Sequence, residues 1–287
     1  MRHIRPIVWI AGLILLALSF VSWAHPLRVV ALEFSFAEDL TAIGIHPVGI
    51  ADDGRANQLI NAVRKFPYQS VGSRAQPNIE AIASLKPDLI IADRDRHQLI
   101  KDQLNAIAPT LLLSSKRTNY SQSLKVAKRI AQAVGKKAIM EKRIAQQHHY
   151  FASLKFQLRR CQHQRILFVI SRGRTLYAHA ADSFVGSIFE QLGFISAATG
   201  FSNSQPSRQI NIEQLLWINP DIIVLGKYGR FALSQIWKHD PLWNALKAVK
   251  DHHVYSVQAS IWSRGRGILS AEQIAKQLTA KLAGECS

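Results

Sequence analysis

Asn78-Ile79-Glu80-Ala81-Ile82-Ala83-Ser84-Leu85-Lys86-Pro87-Asp88-Leu89-Ile90-Ile91 returns without a gap as Asn211-Ile212-Glu213-Gln214-Leu215-Leu216-Trp217-Ile218-Asn219-Pro220-Asp221-Ile222-Ile223-Val224. Six of the fourteen positions are identical and most others exchange one apolar residue for another, so both stretches have the same local structure to build. An asparagine that accepts from free backbone N–H groups opens a short helix, and a glutamate in its first turn suits the helix dipole. Proline stops the helix, because it cannot continue one and drives the preceding residue away from helical geometry. The apolar runs at 89–91 and 222–224 then read as strands buried on both faces of a parallel sheet. A spacing of 133 residues is too long for a solenoid repeat. It predicts two similar lobes.

The surrounding chain alternates in the same way. Expected strands at 28–32, 48–50, 89–91 and 110–113 are separated by helices at 37–43 and 98–106 and by the first repeat helix. A second series has strands at 165–170, 222–224 and 254–257, with a helix at 183–192, helical stretches near 236 and 242–246, and a last helix from near Ser270. Ser270 and Gln273 have capping-box spacing. Between the two series, Leu124, Ala127, Ile130, Ala131 and Val134 recur at helical spacing. Gly135 marks a break, and a second helical run from Lys137 to Leu158 would be ~33 Å long, enough to bridge two lobes. The fold class expected is α/β: two Rossmann-like lobes with mostly parallel sheets, joined by a single long helix. The divisions are a signal peptide at 1–24, lobe one at 25–118, the linker helix at 119–160 and lobe two at 161–287.

Composition narrows the setting. A hydrophobic share of 48% with mixed charges excludes a disordered chain. Arg2, His3 and Arg5 precede an apolar run from Ile7 to Val21, and Ser22-Trp23-Ala24 supplies small residues for a signal-peptidase cut after Ala24. That run is short for a membrane span, and no cysteine stands near the cut to take a lipid. A soluble chain exported to a periplasm is expected. Removing two arginines and no acids leaves a charge of +15 from the original +17, a surplus that attracts anions. Lysine and arginine are spread over the whole chain, which argues against a nucleic-acid face. Cys161 and Cys286 are either one disulfide or two free thiols.

Ligands of open parallel sheets bind beyond the carboxyl ends of the strands. There the sequence places Arg94 and Arg96, Arg172 and Arg174, Lys227 and Arg230, and Arg264 and Arg266, while Arg74 lies in a loop just ahead of a helix. Glu33, Asp52 and Asp53 also fall on strand ends, so the field is not purely positive. Guanidinium forms planar, two-pronged hydrogen bonds to carboxylate or phosphate and stays charged at every accessible pH. Converging arginines on both lobes predict a site for a multiply charged small anion. Trp262, beside them, is either an apolar wall of that site or a core residue. No Gly-x-Ser-x-Gly elbow, Walker loop or Gly-x-Gly-x-x-Gly follows a strand, and the eleven histidines show no metal-ligand spacing. No catalytic residue and no protein-held metal are expected.

Three runs carry a resemblance: Val71-Gly72-Ser73-Arg74-Ala75-Gln76-Pro77 before the first repeat, Ser171-Arg172, and Ile261-Trp262-Ser263-Arg264-Gly265-Arg266-Gly267-Ile268. With Val30–Ala37, Gly49–Asp53 and Asp240–Trp243, they make the chain similar, nearly end to end, to the siderophore- and cobalamin-type substrate-binding proteins of ABC importers. The Trp-x-Arg-x-Arg-Gly run and the Gly-x-Arg-Ala-Gln-Pro loop resemble the iron(III) dicitrate branch of that family. The resemblance implies a rather rigid cleft and ligand contacts from Arg74, Arg96, Arg172, Trp262 and Arg264; Arg174, Arg208 and Lys227 depart from or lie outside the matched runs and are second-tier candidates. It implies a ferric citrate cargo whose iron is held by citrate, no tightly bound cofactor, and a monomer. It also implies that Glu80 and Glu213 dock the lobes onto an inner-membrane ABC permease. Another anionic ferric siderophore is the alternative cargo, and a secreted enzyme acting on an acidic substrate is the alternative class.

Overall fold

In the computed structural model of the chain, residues 26–172, 175–200, 205–228, 237 and 239–286 are described. The expected signal peptide and the expected helical stretch near 236 lie outside them, Trp237 apart. Lobe one runs β1 (Val29–Ala31), α1 (Phe34–Ala42), β2 (Gly49–Ile50), α2 (Asn61–Arg64), β3 (Gln69–Ser70), α3 (Ile79–Ser84), β4 (Leu89–Asp93), α4 (Arg94–His97), α5 (Lys101–Asn105) and β5 (Thr110–Leu113). Its sheet has the order β3-β2-β1-β4-β5 with every pairing parallel. The strands read as continuous apolar runs because neighbours point to opposite faces and both faces are covered. Val30, Ile90 and Ala92 join one buried cluster, while Val29, Ala31 and Ile91 join another.

Two helices follow. α6 (Tyr120–Ala133) is opened by a capping box between Asn119 and Gln122, and α7 (Lys137–Gln157) begins after a left-handed turn at Gly135. Lobe two then runs β6 (Arg165–Arg172), β7 (Thr175–His179), α8 (Phe184–Gln191), β8 (Ile195–Ser196), β9 (Ser207–Ile210), α9 (Ile212–Ile218), β10 (Ile222–Lys227), α10 (Pro241–Ala245), α11 (Lys247–Lys250), β11 (Val254–Gln258), α12 (Ala259–Arg264) and α13 (Ile268–Cys286). Its sheet order is β11-β10-β6-β7-β9, with β8 also pairing β6. β6, β8, β10 and β11 pair in parallel, but β7 runs antiparallel to both β6 and β9.

The repeat is the same down to its hydrogen bonds. Asn78 and Asn211 each accept from the backbone N–H three residues on. Lys86 and Asn219, the residues before the prolines, both turn left-handed, at φ 45° and 40°. Asp88 and Asp221 each accept, through Oδ2 at 2.8 Å, the N–H of an arginine ahead of or at the start of a central strand, Arg28 and Arg165 respectively. The Pro-Asp pair thus ends a helix and pins the register of the next strand.

The lobes share packing at α1, α6 and α13. Ile43, just after α1, belongs to the cluster that holds Phe168, Trp262 and Leu278 of lobe two, whereas Ile130 of α6 packs into lobe one. Cys161 and Cys286 are joined as a disulfide, which ties the end of the last helix to the entrance of lobe two. α13 begins at Ile268, two residues before the expected start. Ser270 is not its cap, because the Ser270 hydroxyl is drawn to Glu38 of α1.

Candidate functional site

The carboxyl ends of both sheets face one cleft, with a cavity of about 220 Å³. Arg74 enters it from the loop before α3, positioned by more than sequence proximity. Its backbone carbonyl accepts from His97 Nε2 at 2.8 Å, and His97 Nδ1 accepts the Asp93 N–H at 2.9 Å. The buried ring therefore splints the Arg74 loop to the end of β4, and burial lowers the His97 pKa, favouring the neutral form that such a splint needs. The Arg74 guanidinium lies over the Phe34 ring at 4.1 Å, and the residue is 7% exposed. Arg96 comes from α4, which Asp93 caps by accepting its N–H through Oδ1.

Glu33 sits beneath both arginines with no solvent exposure, its Oε1 2.5 Å from Arg96 Nε and its Oε2 3.4 Å from Arg74 Nη1. Burial raises its pKa, and the charges of Arg74 and Arg96 oppose that rise. Asp53, at φ 60° in the turn after β2, holds Arg74 through three bonds: from its N–H at 2.8 Å, Nε at 3.1 Å and Nη2 at 2.7 Å. Asp53 Oδ2 also accepts from Arg264 Nη1, at 3.1 Å, so a single carboxylate oxygen joins arginines of opposite lobes. Burial pushes the Asp53 carboxyl up, the Arg74 bonds and the Arg264 charge outweigh it, and its pKa lies below the usual range. Arginines of the two lobes can thus grip one carboxylate between them. Neighbouring Asp52 instead accepts from Tyr68, Ser70 and the Gly54 N–H, closing its own turn.

Lobe two supplies the opposite wall. Arg172, at the end of β6, lies 5.3 Å from the Tyr177 ring and 5.8 Å from that of Tyr228. Arg264 Nε donates to the Tyr228 hydroxyl at 3.3 Å. Arg266 donates only to backbone carbonyls, those of Ser263 at 2.9 Å and Arg264 at 3.4 Å, with no ion pair within 4 Å among the described residues. The first turn of α8, capped by Ser183, opens onto the same cavity with the positive end of its dipole. His179 packs against Phe168, and burial with the neighbouring Arg266 charge pushes its pKa down to about 3, which keeps the ring neutral.

Arg74, Arg96, Arg172, Trp262 and Arg264 thus line one cavity. Trp262 is 1% exposed, packed at a tilt against Phe168 and Phe189, and its indole N–H donates to Gln277 Oε1, so it is a core residue forming the cavity floor. Lys227 ends β10 without lining the cavity, and Arg208 borders a separate groove with Arg165 and exposed Trp217. Arg174 and Arg230 lie outside the described residues. Arg94 faces away, into a surface groove with Arg117 and Arg129, because α4 starts at once after β4 and residues two apart on a helix point in nearly opposite directions.

The resemblance singles out neither Arg266 nor Lys116, His179 or Tyr228, which line the cavity too. Lys116 follows the end of β5, so the strand-end rule applies to it as to the arginines. His179 lies on β7, a strand that sequence periodicity did not separate. Glu80 and Glu213 are exposed in the first turns of α3 and α9, the two copies of the repeat.

Known proteins share the family sequence pattern and the fold. A model of the periplasmic binding protein family matches residues 29–260. The Fe(3+) dicitrate-binding periplasmic protein FecB of Escherichia coli K12 is 42% identical over 252 residues, which cover 87% of this chain and 83% of that protein. The Fe(3+)-citrate-binding protein YfmC of Bacillus subtilis 168 is 38% identical over 258 residues, covering 90% of this chain and 81% of that one. The crystal structure of the Fe3+-Desferal-bound siderophore-binding protein FhuD from Vibrio cholerae superposes with a TM-score of 0.78 at 24% identity, covering 92% of this chain and all of that one. Two sheets facing one cleft, their helix-stop-strand repeat and this match across most of its length establish that the chain belongs to the periplasmic binding protein family.

Proposed function

We propose that the protein captures ferric citrate in the periplasm and delivers it to an inner-membrane ABC importer. The observation that carries this reading is the cation excess of the cleft: among the described residues Arg74, Arg96, Lys116, Arg172, Arg264 and Arg266 line it, and the carboxylates ion-paired to them are Glu33 and Asp53. Guanidinium and ammonium groups donate hydrogen bonds and have no lone pair for a metal. Iron therefore has to arrive already wrapped in its own anionic ligand, and citrate carboxylates suit bidentate arginine recognition. The likeness to FecB and YfmC supports citrate over other chelators. Release reverses binding, with no covalent bond made or broken by the protein. Glu80 and Glu213, one per lobe and outward-facing, are the pair we assign to docking on the permease.

Titration of intrinsic tryptophan fluorescence with ferric citrate, iron-free citrate and a ferric catecholate siderophore tests the reading, since Trp262 lies directly under the site. Saturable quenching by ferric citrate is expected. A response to the catecholate alone would reassign the cargo to another siderophore, and chemical conversion of any bound ligand would make the protein an enzyme.

A further inference from the structure

The loop Arg264-Gly265-Arg266-Gly267 feeds two arginines into the cleft and then enters α13 at Ile268. The first N–H groups of any helix lack partners within it. Those of α13 find them in the other lobe. The Ile268 N–H donates to Asp39 Oδ1 at 2.9 Å, the Ser270 N–H to Glu38 Oε2 at 2.8 Å, and the Ser270 hydroxyl to Glu38 Oε1 at 2.8 Å. Glu38 and Asp39 belong to α1 of lobe one and are each 1% exposed. The contact is too close for side chains on the loop. A Cβ on Gly267 would lie 2.6 Å from Glu38 Cβ and 2.8 Å from the Ser35 carbonyl oxygen, and one on Gly265 would collide with the Ser270 hydroxyl.

We propose that Glu38 and Asp39 are positioning residues for ligand binding: by capping α13 from across the lobe boundary, they fix where Arg264 and Arg266 stand relative to Arg74 and Arg96. The proposal rests on the cleft being the ligand site. Both glycines serve the clamp and both arginines the cleft, which gives each residue of the Arg-Gly-Arg-Gly run a separate reason. Separating the lobes here would strip two buried carboxylates from a helix N-terminus, so the spacing of the arginine walls is set before ligand arrives.

The test uses the full mature chain and two readouts. Ferric citrate affinity is measured for Glu38→Ala and Glu38→Gln, each alone and combined with Arg264→Ala. Lobe separation is measured, without ligand, by pulsed electron spin resonance between labels on Leu99→Cys and Trp217→Cys. Those positions are 98% and 88% exposed, one in each lobe, and the native cysteines are paired. Glu38→Ala should weaken binding at least tenfold and broaden the distance distribution, whereas Glu38→Gln, which keeps an acceptor for the Ser270 N–H, should restore both. In the Arg264→Ala background the loss caused by Glu38→Ala should shrink. An equal loss in both backgrounds, or an unchanged distance distribution, overturns the proposal. Should Glu38→Ala fail to fold, Ser270→Ala removes the hydroxyl bond alone; it should broaden the distances by less, and no change at all is refuting. A wild-type chain that ignores ferric citrate refutes the cargo, while the distances still decide the clamp.

Discussion

Replacing Glu38 by glutamine should abolish a specific part of the pH dependence of stability. Glu38 is buried between α1 and the start of α13, and burial pushes its pKa from an ordinary 4.5 up to about 7, against the pull of the bonds from Ser270 and Gly267. Such a carboxyl keeps its proton longer folded than unfolded. Below pH 4.5 both states are protonated and its contribution to stability is complete. Between pH 4.5 and 7 the unfolded chain gives up a proton that the folded chain retains, so stability falls as pH rises and levels off above the folded pKa. At 1.36 kcal/mol per pH unit, that window is worth about 3 kcal/mol, or on the order of 10 °C in Tm for a chain of this size. Urea unfolding of wild type and Glu38→Gln at half-unit steps from pH 4 to 8 isolates the effect, because titrating groups remote from Glu38 cancel in the difference, and the buried neighbour Asp39, whose pKa the Glu38 charge helps to raise, is the one group that shifts with it. Their stability difference should change by about 3 kcal/mol in favour of Glu38→Gln between pH 4 and 8. A difference constant across that range would mean that Glu38 ionises as an exposed carboxyl does, and the burial argument would be wrong.

Arg74→Ala and Arg264→Ala should each weaken ferric citrate binding by about 1–3 kcal/mol or more, as for a lost charged hydrogen bond, measured by fluorescence or calorimetric titration. Binding should also weaken as salt is raised from low ionic strength, less steeply than for a surface site, because the charges are partly enclosed. Opening the disulfide with Cys161→Ser should cost about 2–5 kcal/mol in urea unfolding, since it closes a loop of 125 residues. Exchange of both Glu80 and Glu213 for alanine should abolish iron uptake by cells while leaving ligand affinity intact; lost affinity would show that they belong to the fold of the site.

The two-lobe architecture was legible because the helix-stop-strand pattern carries its own punctuation: asparagine caps, a proline stop and a strand-anchoring aspartate are local chemistry. The cleft was legible in outline because strand ends are visible as the ends of apolar runs. Which of Arg94 and Arg96 faces inward was not. Arg94 and Arg96 look equivalent until α4 is seen to start without a loop. The hairpin formed by β6 and β7 was hidden as well, since Thr175–His179 alternates polar and apolar residues over too few positions to stand out. Long-range pairings lie beyond any sequence window. Nothing within residues 33–43 announces that Glu38 and Asp39 cap a helix more than two hundred residues away, and the spacing of Ser270 and Gln273 suggested a local cap in their place.

Asp53, gripping arginines of both lobes at once, bears on how such a protein lets go. A cleft of bare guanidinium groups would bind an anion tightly and then hold it, since every departing carboxylate would strand positive charge in a poorly hydrated space. Asp53 and Glu33 are counter-ions that the cleft carries within itself. Whatever enters has to compete with them, and whatever leaves can be replaced by them within a side chain's reach. Affinity is given up for reversibility, which is what a shuttle between a scarce nutrient and a waiting transporter requires.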